Sequence, residues 1–314
     1  MKLKALVVSI KGTSLSKSEK ILLSKEKPWG VILFKRNLKT INQIKKLTSK
    51  IRYLTKNKKF PIIIDEEGGS VSRLKEMINN KITANFFGYL YNKDKNICLQ
   101  IYKYYIFSIS KILRNLGINI NTIPVVDVLR NNTNKIIGNR SFSYNKKIVK
   151  ELGRITIKHL HANRVSGIIK HIPGHGAATT DSHKKMPKVT LSFKKLNDID
   201  FYPFKSTNAK LAMTAHILYE SLDKKNPATF STKIIKDIIR KKLKFSGILI
   251  SDDISMKALK YDLVTNAKKS LKAGCNLVLY CSGNTNDNFK LIKSLPYIDN
   301  STTKKTSEIY KFLR

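Results

Sequence analysis

The sequence predicts a (β/α)₈ barrel, and three observations support this fold class. Short apolar runs rich in Val, Ile and Leu occur eight times along the 314 residues. Most of the stretches between them are amphipathic and rich in lysine, as expected for helices on the outside of a parallel sheet. Nearly every apolar run ends in residues that can do chemistry. We therefore expect one α/β domain, a TIM-like barrel, over residues 1–314.

The elements follow in order along the chain. Because neither face of the apolar runs alternates with polar residues, they are interpreted as buried parallel strands. The predicted strands are Lys4–Ile10, Gly30–Phe34, Phe60–Asp65, Ile118–Asp127, Gly167–His171, Leu211–His216, Gly247–Asp252 and Asn276–Tyr280. The clearest predicted helices are Lys35–Leu54, Asp94–Leu116, Thr232–Leu243 and Asn266–Ala273, the last stopped by Gly274, and a charged surface helix is expected from Ser301. A doubly wound open sheet is the alternative fold.

Polar residues at the strand ends favour the barrel. Six predicted strands end in such residues, which are Asp65, Asp127, Lys170 with His171, His216, Asp252 with Asp253, and Cys281 with Ser282. In a barrel the carboxyl ends of all strands meet at one rim, where active sites lie. The alternative, that strand ends are polar because they lie near the surface, suffices for one strand but not for six.

The net charge of +40 is the unusual bulk property. Of the 61 basic residues only 10 are arginines, and the lysines are spread along the whole chain. A nucleic-acid-binding protein usually clusters arginines among aromatic residues. We therefore interpret the charge as a compositional bias and expect no specific nucleic-acid partner, only weak, salt-sensitive binding to polyanions.

Cysteines and apolar stretches indicate the compartment. Three cysteines without a Cys-x-x-Cys pair argue against a disulfide framework and against a structural zinc site. The N-terminal apolar run is short for a signal peptide, and no run approaches the length of a membrane span. We expect a cytoplasmic protein, monomeric and without a membrane partner.

The stretch from Lys170 to Pro187, KHIPGHGAATTDSHKKMP, holds three of the six histidines. A metal site is one interpretation, but Pro173, Gly174 and Gly176 prevent a common helical face for the histidines, and there is no His-Glu-x-x-His pattern. The other interpretation is a loop that brings Asp181 and His183 to the rim, because an Asp two residues from a His suits general acid–base chemistry. A surface Asx turn explains the same local spacing.

Two carboxylates at strand ends complete the candidates. Asp252 ends the buried run Gly247–Asp252, where a carboxylate can attack an anomeric carbon, while Asp253 or Ser255 could cap the following helix. Asp65 ends another strand before Gly68 and Gly69, and with Arg73 nearby it suits recognition of neutral hydroxyls. No Gly-Lys-Ser/Thr follows these glycines, which excludes a phosphate loop.

Seven motifs in order resemble the bacterial β-N-acetylhexosaminidases of glycoside hydrolase family three, the single-domain enzymes of peptidoglycan recycling. They are IDEEGGSVSR, NTIPVVDV, IIGNRSFS, KHIPGHG with TTDSH, MTAHILYESLDKKNPATFS, ISDDISM and KAGCNLVLYCSG. The chain departs from the family pattern at Glu66 and Ser70, where Gln and Arg are usual, at Ala177, and at the two lysines after His183.

The resemblance implies a function and a role for each candidate. It implies a retaining exo-β-N-acetylglucosaminidase acting on GlcNAc-β-1,4-anhydro-N-acetylmuramic acid (anhydro-MurNAc), with or without peptide, and using no metal or organic cofactor. By motif position, Asp252 corresponds to the nucleophile and His183 to the acid/base, with Asp181 as its partner. The implied sugar-binding residues are Asp65, Arg73, Arg140, Lys170 and His171.

Three rival functions remain at this stage. The first is substrate-assisted hydrolysis with Glu66 or Glu67 as the acid. The second is phosphorolysis, because a histidine acid/base has no permanent negative charge to repel phosphate. The third is a basic protein that binds nucleic acid or anionic wall fragments without catalysis. Analysis of the products, inhibition experiments and binding assays at physiological salt distinguish these three functions.

Overall fold

A computed structural model describes residues 2–182 and 184–313. Its centre is a closed barrel of eight parallel strands, which confirms the predicted fold class. In chain order the strands are β1 Lys4–Ser9, β2 Pro28–Leu33, β3 Ile62–Ile64, β4 Ile120–Asn121, β5 Ser166–Ile172, β6 Leu211–Thr214, β7 Ile248–Asp253 and β8 Leu277–Leu279. Each strand pairs with its sequence neighbours, and β1 pairs with β8 to close the barrel.

All eight predicted strands are present, although five are shorter than predicted, β4 by the most. The run predicted as Ile118–Asp127 forms only the two residues of β4, followed by a single bridge between Val125 and Lys170. Pro124 interrupts the strand because proline has no backbone N–H to donate to a neighbouring strand. The chain beyond it still brings Asp127 to the rim.

Helices pack around the barrel. They are α1 Lys17–Ile21, α2 Ile41–Thr55, α3 Ala84–Lys93, α4 Lys95–Asn115, α5 Lys146–Ala162, α6 Phe193–Asp198, α7 Leu263–Ala273, α8 Thr285–Ser294 and α9 Asn300–Phe312, with a π-helical segment at Ile234–Lys242. The predicted helix Lys35–Leu54 is a short 3₁₀ turn followed by α2, which Thr40 caps through the N–H of Gln43. Gly274 ends α7 with a φ of 118°, a conformation that favours glycine.

Apolar side chains are buried on both faces of the strands, as the continuous apolar runs predict. One set fills the barrel interior and includes Val7, Ile63, Ile248 and Leu277. The other set lies between the strands and the helices. This double burial holds the strand ends in a fixed register, so the side chains at the rim have a rigid base.

The last helix corrects one prediction. We expected the segment from Ser301 to lie on the surface, but α9 closes the amino-terminal end of the barrel. Ile309 and Leu313 are fully buried with the barrel interior, and the Trp29 Nε1–H donates to Thr306 Oγ1 at 2.9 Å. Charged residues on one side of α9 hide an apolar stripe on the other, which composition alone does not show.

We expect Ile309→Ala to lower the free energy of unfolding by about 2–5 kcal/mol, the usual loss for a buried large-to-small change. Ile309 is 0 % exposed and has no room to be replaced without a cavity. Ile41→Ala is the matched control, since Ile41 is 49 % exposed and its truncation leaves no cavity. Urea denaturation of both variants measures the difference, and equal losses would contradict the placement of α9.

Candidate functional site

A cavity of about 270 Å³ lies at the carboxyl ends of the strands. Six of the eight candidates from the sequence line this one cavity, namely Asp65, Arg73, Arg140, Lys170, His171 and Asp252. Apolar side chains at its floor include Ile32, Met213 and Leu279. The barrel therefore brings together six predicted site residues that are up to 187 positions apart in the chain.

Asp65 at the end of β3 is surrounded by donors. Its carboxylate accepts from Lys170 Nζ at 2.7 Å, from Arg73 Nη2 at 2.5 Å and from the Thr122 hydroxyl. Burial by itself would raise the pKa of Asp65, but Lys170 and Arg73 hold it far below its ordinary value. Asp65 is therefore ionised at any physiological pH and can accept hydrogen bonds from sugar hydroxyls.

Glu67 is the partner that the sequence analysis missed. Its carboxylate accepts from Arg140 Nε at 2.7 Å and Nη2 at 2.8 Å, and lies 2.5 Å from Lys170 Nζ. Burial would lower the pKa of Arg140, but Glu67 raises it. The signal in the sequence was the position of Glu67, two residues after Asp65 in the same strand-end segment.

These contacts change the interpretation of the two cations. As sugar-binding residues implied by the resemblance, Lys170 and Arg140 would offer fixed charges to sugar oxygens or to an acidic group on the product. In the structure both cations are paired with Asp65 or Glu67, and Arg73 shares Asp65 with Lys170. Because a paired cation attracts another anion less strongly than a free one, Lys170 and Arg140 are better suited to hold these carboxylates in place and to donate single hydrogen bonds.

His171 is oriented by a carboxylate behind it. Asp127 Oδ2 lies 2.7 Å from His171 Nδ1, and Asp127 Oδ1 accepts from the backbone N–H groups of His171 and His175. Burial would raise the pKa of Asp127, but the charge on His171 and these hydrogen bonds lower it. The Asp127 carboxylate keeps a proton on Nδ1 of His171. The other ring nitrogen is Nε2, and the His171 ring lines the cavity.

Asp252 lies at the end of β7, where the sequence predicts it. It is partly exposed to the cavity, and its Oδ1 accepts from the backbone N–H of Asp253 at 2.8 Å. Burial would raise the pKa of Asp252, yet the electrostatic interactions with His216 and His171 and this hydrogen bond lower it. The carboxylate is thus ionised and open to a ligand on one side.

The two neighbours of Asp252 have structural contacts. Asp253 accepts from Ser255 N and Oγ and from Cys281 N, so it closes a turn at the end of β7. The helix cap predicted for Asp253 or Ser255 is wrong, because α7 begins only at Leu263 and Asp262 caps it. His216 is buried, with Nε2 3.0 Å from the Asp253 carbonyl oxygen and Nδ1 2.7 Å from Thr229 Oγ1. The sequence indicated His216 only as a residue at a strand end. In the structure it supports the backbone next to Asp252.

The loop after β5 is only partly described, because His183 lies outside the described residues. Ser182 lines the central cavity, whereas Asp181 lines an adjoining open cavity together with Asn134 and Thr179. The loop is attached to the segment after β4 through Asn134, whose N–H donates to Ala178 O and whose Nδ2 donates to Thr179 O.

The glycines at the start of this loop serve close packing. Two glycines near the start of a loop suggest backbone freedom, but the contacts of Gly174 and Gly176 restrict it. A Cβ on Gly176 would collide with the Val128 carbonyl oxygen, and one on Gly174 would lie 2.6 Å from the Asp200 carbonyl oxygen. Gly174 also has a φ of 142°. Both glycines are therefore required where the loop begins, and they hold that end in place.

His175 has a structural environment. It is buried, and its ring lies 5.5 Å from the His171 ring in an edge-on arrangement. Burial lowers the pKa of His175 to about 4, and burial also lowers the pKa of His161 on α5 to about 4. Both imidazoles are neutral in the folded protein at neutral pH.

These two histidines predict how stability changes with pH. An unfolded histidine titrates near ~6.5, so between pH 6.5 and 4 the unfolded chain binds more protons than the folded one. Stability therefore falls as the pH drops through this range, by up to about 1.4 kcal/mol per pH unit for each group. Asp65, Asp127 and Asp252 have lowered pKa values. The stability that these three carboxylates contribute is lost only when the pH falls below the ordinary Asp pKa of ~3.9.

His161→Phe tests the first range, because phenylalanine can still stack on Phe312 but does not titrate. We expect its free energy of unfolding to change less between pH 7 and pH 4.5 than that of the unchanged chain. Urea titrations at the two pH values measure the difference. Identical pH slopes would contradict a neutral buried His161.

Comparison with known proteins identifies the family. The model of the glycosyl hydrolase family 3 N-terminal domain matches residues 2–308. The chain belongs to glycosyl hydrolase family 3. A β-hexosaminidase of Nitrosomonas eutropha is 31% identical over 282 residues, which cover 88% of this chain and 80% of that protein.

Solved structures of the family share the fold. NagZ from Neisseria gonorrhoeae in complex with N-trifluoroacetyl-D-glucosamine has a TM-score of 0.90 and 30% identity, covering 98% of this chain and 90% of that one. A family 3 β-N-acetylglucosaminidase from a Paenibacillus species has a TM-score of 0.88 and 26% identity. This chain spans 60% of the length of the Paenibacillus chain.

No group of three or more His, Cys, Asp or Glu able to hold a metal ion is found among the described residues. In the same part of the chain, no helix is long and apolar enough to cross a membrane.

Proposed function

We propose that this β-N-acetylhexosaminidase of family 3 removes terminal β-linked GlcNAc with retention of configuration, through a covalent intermediate on Asp252. The observation that supports the proposal is the position of Asp252, an ionised carboxylate at a strand end in the cavity that Asp65, Lys170 and His171 also line. A rigid carboxylate beside several hydroxyl-binding groups is the arrangement that a double displacement requires.

The first step joins the sugar to the enzyme. An Asp252 oxygen attacks the anomeric carbon, the glycosidic C–O bond breaks, and a proton from His183 passes to the leaving oxygen. Asp181 would stabilise the protonated imidazole. In the second step His183 removes a proton from water, the water oxygen attacks the anomeric carbon, and the bond to Asp252 breaks. GlcNAc leaves as the β-anomer, and both residues regain their starting protonation states.

Sugar recognition is proposed for the remaining cavity residues. Asp65 and its donors Lys170 and Arg73 form a polar edge for hydroxyl groups, with His171 beside it. The solved NagZ complex contains N-trifluoroacetyl-D-glucosamine, an analogue of GlcNAc, on a chain that is 30% identical. This supports GlcNAc as the sugar that the cavity accepts here.

The proposed natural substrate is GlcNAc-β-1,4-anhydro-MurNAc, with or without attached peptide, and the proposed role is cytoplasmic recycling of cell-wall fragments. The support is the order of the family motifs and the similarity to bacterial β-hexosaminidases. We further propose that residues 1–314 act as one catalytic domain and as a monomer.

The contacts of Glu66 and Glu67 disfavour substrate-assisted hydrolysis with either residue as the acid. Glu66 accepts from the backbone N–H groups of Arg73 and Leu74 and from Asn80 Nδ2. Glu67 is held by Arg140 and Lys170 and is nearly fully buried. Both carboxylates are thus engaged in fixing the strand-three loop, and a proton on either would break these contacts.

Product analysis tests the proposal. We expect incubation of GlcNAc-anhydro-MurNAc with the protein to release free GlcNAc, first as the β-anomer by ¹H NMR. In phosphate buffer, GlcNAc-1-phosphate as the main product would favour phosphorolysis instead. First appearance of the α-anomer would contradict retention, and absence of turnover together with binding to nucleic acid at physiological salt would favour a binding protein.

A further inference from the structure

The outer side of α4 is apolar although it faces solvent. Ile97 is 50 % exposed, Ile101 45 %, Tyr104 74 % and Phe107 45 %. At 100° per residue the first three lie along one line of the helix, and Phe107 lies beside Tyr104. We call these four side chains the α4 outer face. The opposite side of α4 is buried in the core through Cys98, Tyr102, Ile106, Ile109 and Leu113.

A surface helix normally has one apolar stripe, and that stripe faces the core. Single exposed apolar side chains are common, but contiguous ones mark an interaction site. The preceding segment adds Ile82, Phe86 and Tyr89, each more than 40 % exposed. Half of the large apolar side chains that residues 2–182 and 184–313 expose therefore lie between positions 82 and 107.

The charge around this face is almost entirely positive. Residues 81–115 contain a single acidic residue, Asp94, which caps α4 through the N–H of Ile97. Glu151 on the neighbouring helix is paired with Lys95. The basic residues of the segment are Lys81, Lys93, Lys95, Lys103, Lys111 and Arg114. Lys103 lines a groove with Tyr104 and Phe107, so at least one ammonium group lies directly beside the apolar side chains.

Charge decides between the possible occupants of this face. A second copy of the chain would bring the same lysines and the same net charge of +40, and the two surfaces would repel each other. Apolar side chains flanked by lysines are instead complementary to an anionic lipid surface, where rings enter the acyl boundary and ammonium groups meet the headgroups.

We propose that the α4 outer face attaches the protein peripherally to an anionic phospholipid bilayer. This departs from the expectation, based on sequence, of no membrane partner. In chain order α4 follows β3 and precedes β4, so it packs on the outside of the barrel, while the cavity opens at the carboxyl ends of the strands. The attached protein would keep its cavity open to substrates in solution, and the proposal is independent of the function proposed above.

Vesicle sedimentation of the full chain tests the attachment. At about 0.15 M salt, where the Debye length is ~8 Å, the protein is expected to bind vesicles of phosphatidylglycerol and phosphatidylcholine more strongly than pure phosphatidylcholine. The variant Ile101→Ser/Tyr104→Ser keeps the net charge and removes two apolar contacts, so its partition coefficient should fall about tenfold or more.

The chain offers a matched control on α2. Tyr53 is 73 % exposed and Ile41 49 %, close to the values for Tyr104 and Ile101. Ile41→Ser/Tyr53→Ser should bind vesicles like the unchanged chain. A second readout is Tyr104→Trp, whose emission should shift to the blue on vesicle addition, while the other tryptophan, Trp29, is fully buried and gives a constant background.

Four results would overturn the proposal. They are no binding to anionic vesicles at this salt concentration, equal binding by the α4 variant and the unchanged chain, equal loss in the α2 control, and no spectral shift for Tyr104→Trp. A dimer in sedimentation velocity that dissociates in the α4 variant would also overturn it, since a second copy would then be the occupant.

Discussion

Replacing Asp252 by alanine is expected to lower kcat/KM for a chromogenic β-GlcNAc substrate by at least about 10⁴-fold, as loss of a covalent nucleophile does in other hydrolases. Asp252 combines a lowered pKa with a place on the cavity wall, and the carboxylates beside it have other partners. Asp65 is held by Lys170 and Arg73, and Asp253 by Ser255 and Cys281. In the described part of the chain, the two other carboxylates that line the cavity are therefore already engaged.

A mechanism-based fluoro-glycosyl probe gives a direct measurement. We expect peptide mass spectrometry to find the label on Asp252. Asp253→Ala is the matched control, because it removes a neighbouring carboxylate that accepts hydrogen bonds from the backbone. This variant should be less stable than the unchanged chain, but the probe should still label Asp252. Label on another residue, or rapid turnover by Asp252→Ala, would contradict the assignment of Asp252 as the nucleophile.

Replacing His183 by alanine is expected to reduce turnover of GlcNAc-anhydro-MurNAc by about 10²–10⁴-fold, the usual contribution of a general acid. With p-nitrophenyl-β-GlcNAc as the substrate, the rate of the glycosylation step should fall much less. The reason is that p-nitrophenolate leaves without a proton, whereas the sugar hydroxyl of the natural substrate needs one.

The ratio of kcat/KM values for the two substrates measures this effect. Asp181→Asn is the companion variant, and it should show a smaller loss with the basic limb of the pH profile moved to lower pH, since the imidazolium loses a stabilising carboxylate. Equal losses on both substrates for His183→Ala would show that the residue holds the sugar instead of transferring a proton.

The strands and the order of the barrel were predictable because of how parallel sheets are buried. Covered on both faces, each strand needs a continuous apolar run, and such runs are visible in a single sequence. Short elements such as β4 were predicted less accurately, since regular pairing ends at Asn121 and only a single bridge follows Pro124, although apolar residues continue. The role of α9 was misjudged because a lysine-rich helix shows its buried stripe only through what it covers.

Part of the candidate site was predictable for a similar reason. Parallel strands deliver their carboxyl ends to one rim, so Asp65, Lys170, His171 and Asp252 could be placed together before any coordinates. The network behind them could not. Asp127 and His171 are 44 positions apart and Glu67 and Arg140 are 73 apart, and pairs at such distances leave no mark in local spacing.

The amino-acid sequence by itself determined the fold class, the family and the set of polar side chains at the barrel rim, because these depend on local patterns of apolar and chemical residues. Only the tertiary structure decided which charges are free. It showed that Lys170 and Arg140 are paired with Asp65 and Glu67, that Asp253 holds backbone, and that Asp252 faces the cavity. The physical reason is that the strength of a charge depends on its partners and its exposure to water, and both are set by contacts between distant parts of the chain.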